Sequence, residues 1–172
     1  MTINMSAALR KLLDEMVKPE VAVAKHVAML QAMQDIAPHT ISILPAPNDE
    51  PLEEFNCIMY ALGIVARLEH SCSPLGRWYA DTGFMRYLVD RAVLKRGDAR
   101  RGAIITWSTA GGVKHAGRIV APGRVASKWG VSHVYEHGFY EVPTGYGSPT
   151  DFYAPVESET VLTYLGGYLN QA

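Results

Sequence analysis

The chain has 172 residues, with 16 basic and 17 acidic side chains and a net charge of -1 at pH 7. That length suits one domain with a real hydrophobic core, and 48% hydrophobic against 19% charged residues excludes a disordered tail. The charge balance excludes a surface that seeks polyanions throughout, so no nucleic-acid partner is expected.

The first forty residues read as a helical hairpin. Ala8, Leu9, Leu12, Leu13 and Met16 recur at helical spacing, with Arg10, Lys11, Asp14 and Glu15 between them. Asp14 and Glu15 stand where a secretory signal needs an apolar run, so none is read. Lys18-Pro19 interrupts the pattern. A second helix is predicted from about Glu20 to Ile36, on a stripe of Val23, Val27 and Leu30 widened by Met29, Met33 and Ile36. The hairpin reads as a packing lid, or as the surface for a protein partner or a second copy.

Pro38, Pro45, Pro47 and Pro51 make residues 37 to 52 a connector. Asn56 is a good helix cap, and Ile58, Ala61, Leu62 and Val65 share a face, which predicts a helix from Cys57 to about Glu69. Another is predicted from Thr82 to Leu94. After Gly97 the period changes. Residues 103 to 107 read as a buried strand, and His115 to Val120 and Arg124 to Trp129 as two strands around Pro122-Gly123. Glu136 to Val142 and Asp151 to Tyr153 are weaker strands, and Gly145 and Gly147 around Tyr146 read as a turn. A helix from Pro155 to Leu169 closes the chain. Helices first and an antiparallel sheet afterwards make this α+β. No run approaches about 18 uninterrupted apolar residues, so no membrane span is expected.

Two cysteines, Cys57 and Cys72, cannot staple a scaffold, which favours free thiols in a reducing compartment. Cys57 follows a cap residue, where unpaired N–H groups and the helix dipole favour a thiolate. Cys72 has no such setting and reads as structural or exposed. A thiol nucleophile needs a base. Among His26, His39, His70, His115, His133 and His137, His115 begins a strand directly after Gly111-Gly112, a rigid yet accessible place. His133 and His137, four apart, match no HExxH or CxxC pattern, so neither metal nor cofactor is expected.

Asn56-Cys57 opening a helix, then GAIITW, then KHAGRIVAPGRVAS together resemble the NlpC/P60-like branch of papain-fold cysteine hydrolases. NCIMYALG, KHAGRI, RVASKWG and VPTGYG also resemble a poorly characterised bacterial and phage subgroup of that fold. The resemblance implies a papain-like core over residues 53 to 155, an N-terminal extension over 1 to 40 and a C-terminal helix over 156 to 172. It implies a cysteine peptidase or amidase acting on a peptide or peptidoglycan-type amide, with Cys57 as nucleophile, His115 as base and Ser127 as orienting residue. The third position of that family is usually His, Asn or Gln, and a serine hydroxyl orients an imidazole without stabilising imidazolium as an acid would.

Turn geometry leaves two registers. A two-residue loop would put Lys128 on the His115 face; a three-residue loop would put Ser127 there. Glu136 and His137 are further orienting residues to test. Trp129 reads either as a wall of a substrate groove or as a core indole, and Asn56 either as an oxyanion donor or as a cap alone. The alternatives to an enzyme are a papain-like binding module without catalysis and an effector or toxin held by a protein partner. The expected location is the cytoplasm, or outside the cell by a route without a cleaved signal.

Overall fold

Leu9, Leu13 and Met16 lie on one stripe of helix α1 (Thr2–Met16), and all three are buried. The chain then turns through Lys18, whose carbonyl accepts the Val21 N–H at 2.9 Å, and a short 3-10 turn (Val23–Lys25) precedes α2 (His26–Ile36). The second helix therefore starts about six residues later than its apolar stripe predicted. The computed structural model describes residues 2–65 and 79–171. Within them the architecture is α+β, with five α-helices and a six-stranded sheet.

The sheet is antiparallel throughout, in the order β1-β5-β4-β3-β2-β6. Its strands are β1 (Ser42–Leu44), β2 (Ile104–Thr109), β3 (Gly112–Ala121), β4 (Arg124–Lys128), β5 (Val134–Gly138) and β6 (Ser148–Tyr153). The proline-rich connector was expected to hold no regular element, yet it supplies β1. Three residues between prolines are enough for an edge strand, because the partner β5 supplies the hydrogen-bonding ladder. The fifth strand also starts two residues earlier than predicted and stops at Gly138.

Alternation across the sheet separates two cores. On one face Ile105, Trp107, Ile119, Val125, Trp129 and Tyr135 pack with Leu9, Leu13 and Met16 of α1 and Leu30 and Met33 of α2. On the other, Ile104, Ala116 and Val134 pack with α3 (Cys57–Leu62), α4 (Thr82–Asp90) and α5 (Ser158–Leu169). The hairpin thus covers a full sheet face.

Helix α3 is shorter than the sequence pattern predicted. Gly63 takes φ 72°, the left-handed C-cap conformation, and its N–H returns to the Met59 and Tyr60 carbonyls. The predicted continuation over 66 to 69, His70 and Cys72 lie outside the described residues. Helix α4 likewise ends at Asp90, not Leu94, where the chain turns back through Ala92 at φ 56°. No helix among the described residues is long and apolar enough to cross a membrane.

Candidate functional site

The register of β3 and β4 decides which side chain meets His115. Only Pro122 and Gly123 separate the last bridged pair, Ala121 with Arg124. An irregularity at Val120 then shifts the pairing, so that Ile119 meets Val125 and Arg118 meets Ala126. The bulge gives a two-residue turn the register expected of a three-residue one. Ser127 consequently faces His115, and Lys128 faces the opposite side of the sheet.

His115 is buried, and its Nε2 lies 2.9 Å from the Ser127 Oγ. The same oxygen lies 2.7 Å from the His137 Nε2 and accepts the Trp129 indole N–H at 3.0 Å. Proton counting fixes the arrangement. His137 Nδ1 stands 2.8 Å from the Gly138 carbonyl, which can only accept, so Nδ1 carries the hydrogen. Burial lowers the His137 pKa to about 4, so at neutral pH its Nε2 is bare and accepts the Ser127 O–H. One lone pair of Oγ takes the Trp129 proton. The other takes a proton from His115 Nε2, which makes Nδ1 the bare nitrogen of His115. Burial, and secondarily His137, holds His115 well below the ordinary histidine pKa, so the imidazole is neutral. Among the described residues no hydrogen-bond partner occupies His115 Nδ1.

Two contacts hold the ring from its faces. Trp107 tilts against it with centroids 5.2 Å apart, and Tyr146 stacks on it at 4.0 Å with planes 7° from parallel. Tyr146 ends a 3-10 turn (Thr144–Tyr146) followed by Gly147 at φ 85°. A Cβ on Gly147 would stand 1.9 Å from the Ser108 carbonyl oxygen, so only glycine lets the turn lie this close to β2. Helix α1 clamps the turn from outside: Arg10 donates to the Val142 carbonyl at 2.9 Å, to the Pro143 carbonyl at 3.2 Å and to the Gly147 carbonyl. Asp14 accepts from Thr144 and from the Gly145 N–H. Sequence reading placed Tyr146 in a turn and gave it no role, since its contact with His115 is purely tertiary.

Cys57 occupies the first helical position of α3. Asn56 Oδ1 accepts the Met59 N–H at 3.0 Å, and Asn56 Nδ2 donates to the Ala80 carbonyl at 2.6 Å. Both ends of this amide are engaged in holding the helix start, which corrects its reading as an oxyanion donor toward that of a cap. The Cys57 residue keeps some exposed surface, but its sulfur lies deep. Burial raises the thiol pKa, against backbone N–H groups of Ala116, Ile58 and Cys57 itself and the charge of Lys128. The expected lowering at a helix start is present but is outweighed by desolvation.

Cys57 packs on the helical side of the sheet, against the cluster that contains Ala116, the residue after His115. Cys57 and His115 make no direct hydrogen bond: Cys57 packs on the sheet face that carries Ala116, and the His115 ring lies on the opposite face. Trp129 is fully buried against Tyr135 at 4.3 Å, so it is a core indole that holds Ser127, not a groove wall. Glu136 pairs with Arg124 at 3.0 Å and does not join the histidines. His133 lies edge-on to His26 at 6.3 Å, apart from the His137 cluster.

Residues 48–154 match the family model described as Domain of unknown function (DUF7689). Neither the comparison with curated proteins nor that with solved structures finds a match.

Proposed function

The chain belongs to the DUF7689 family, a domain of unknown function, and we propose that it is a papain-like cysteine hydrolase that cleaves an amide bond. The substrate class is a peptide, of the peptidoglycan type or an ordinary one. The observation that carries this reading is the hydrogen-bond chain from Gly138 through His137 and Ser127 to His115, which leaves His115 Nδ1 as a bare, neutral base. A neutral imidazole with a bare nitrogen has the protonation state of a general base, and the burial that keeps it neutral also lowers its proton affinity.

In this mechanism the Cys57 thiol, neutral when buried, gives its proton to His115 Nδ1 as the sulfur attacks the carbonyl carbon. In this reading the Cys57 backbone N–H, at the helix start, receives the developing oxyanion. His115 then returns its proton to the leaving amine, and water attacks the thioester by the same route. The transfer requires the sulfur, on the helical face of β3, and the imidazole, on the hairpin face, to be brought to one side of the strand during turnover. Ser127 keeps the tautomer, and His137 and Trp129 keep Ser127.

The test is covalent. The protein is incubated with peptide and peptidoglycan-fragment amides, and intact mass is followed for an acyl adduct on Cys57. Wild type should accumulate the adduct and Cys57→Ala should not; loss of His115 should abolish it as well. Hydrolysis that persists in Cys57→Ala would overturn the reading. The raised thiol pKa supports a second reading, a papain-like binding module in which Cys57 is inert. Iodoacetamide alkylation of Cys57 no faster than that of an ordinary thiol, together with no acyl adduct, would favour that module.

A further inference from the structure

Lys128 is fully buried on the sheet face that carries α3. Burying an ammonium is unfavourable unless an anion or several acceptors replace water. Here Nζ donates to the Gly130 carbonyl at 2.6 Å and stands 5.2 Å from the centroid of Phe55, two residues before Cys57. Among the described residues no carboxylate lies within ion-pair distance of Nζ. Among the described residues the Gly130 carbonyl is the one hydrogen-bond acceptor of the ammonium. The β3–β4 register puts Ala116 and Lys128 side by side on one face, and Cys57 packs on the core cluster that contains Ala116. The sulfur is the group on this face that acquires negative charge in the proposed reaction.

We propose that Lys128 is a positioning residue whose buried ammonium pairs with the Cys57 thiolate once His115 has taken the proton. This deepens the hydrolase reading and rests on it. Lys128, from β4, lies on the helical face with the sulfur and stabilises the charge left on it once the proposed transfer to His115, from the opposite face of β3, has taken place. No oxidant or further reactant is needed: the S–H bond breaks, its proton goes to Nδ1, and the electron pair stays on sulfur beside Nζ. Among the described residues the other titratable groups in reach of this pair are Glu53, ahead of α3, which favours the ammonium, His133, whose charged form Lys128 disfavours, and Tyr146, whose phenol is held neutral by burial.

The experiment reads Cys57 alkylation by iodoacetamide against pH, located by peptide mapping, in wild type, Lys128→Met and Lys128→Arg. Lys128→Met should slow alkylation at pH 7 about tenfold and move the profile upward by about one pH unit, the shift expected when one neighbouring charge is removed. Lys128→Arg should restore most of the rate. A profile unchanged in Lys128→Met overturns the proposal. If that variant does not fold, the reciprocal measurement decides: NMR titration of Lys128 Nζ in wild type and Cys57→Ala. Wild type should hold the ammonium to higher pH than Cys57→Ala, and identical titrations overturn the pairing. Alkylation reports charge coupling without turnover. Absence of an acyl adduct with the pH shift intact would sink the hydrolase reading alone, and an adduct with no shift would sink the Lys128 assignment alone.

Discussion

Tyr146 lies flat on His115, with ring centroids 4.0 Å apart, and it is there because Arg10 of the first helix grips the turn that carries it. This ties the N-terminal hairpin to the imidazole through one loop. The hairpin was read from sequence as a lid or a partner surface, and its described contacts make it part of the sheet's own cover.

Removing the Tyr146 ring should let water reach His115. Burial is the main cause of the lowered His115 pKa, so Tyr146→Ala should raise it toward the ordinary value. NMR titration of the His115 ring would read this directly. The variant should lose about 2 kcal/mol of stability, as expected for deleting a packed ring. Arg10→Ala should move His115 in the same direction by less, because the turn loosens while the ring remains. A His115 titration unchanged in both variants would mean that Tyr146 does not shield it.

The histidine network makes a second prediction, about pH. His137 has a folded pKa of about 4 against an ordinary value near 6.5. Below about pH 6.5 the unfolded chain takes up a proton that the folded chain refuses, so the unfolded state is favoured. The contribution is complete above that pH, falls with acidification and is spent at about pH 4. A shift of this size corresponds to about 3 kcal/mol over the window, and His115 acts in the same direction. Urea unfolding at pH 7 and pH 5 should show the loss in wild type. His137→Gln should be less stable at pH 7 but flatter between the two, and an equal slope in both proteins would remove His137 from the account.

Much of this site was legible from residues alone. Cys57 after a cap and a strand carrying His115 follow from turn and periodicity rules, although β3 begins at Gly112, three residues before the predicted start at His115. Ser127 was reachable only as one of two registers, since Pro122-Gly123 does not announce a bulge at Val120. Gly63, by contrast, was a readable stop for α3, and the apolar stripe through Val65 overrode it. Lys128 and Tyr146 were not legible as parts of the site. Their positions depend on which face a strand presents and which loop folds over it, and neither is a local property of sequence. The Cys57 thiol shows the same limit: the helix start is written in the sequence, but the depth of burial that opposes it is not.

Gly117 tests whether the closeness of β3 and β4 sets the site. Its φ is ordinary, so the need for glycine is one of space. A Cβ there would stand 2.7 Å from Val125 Cγ1, 3.0 Å from the Ala126 carbonyl oxygen and 3.0 Å from Ser127 Cβ. Backbone and a branched side chain cannot all give way without parting the strands. The added methyl, two residues along β3 from His115, would push on Ser127 itself. Gly117→Ala should therefore cost about 2 kcal/mol, within the range for overpacking a filled interior. It should also break the 2.9 Å bond between His115 and Ser127. With that bond lost, the proton on His115 is no longer fixed at Nε2, and imidazole nitrogen NMR should show a mixture of tautomers in place of one. Wild-type stability together with a single Nε2-protonated His115 in Gly117→Ala would show that the strands can part without disturbing the network. In that case Trp129 and His137, and not the close approach at Gly117, hold Ser127 in place.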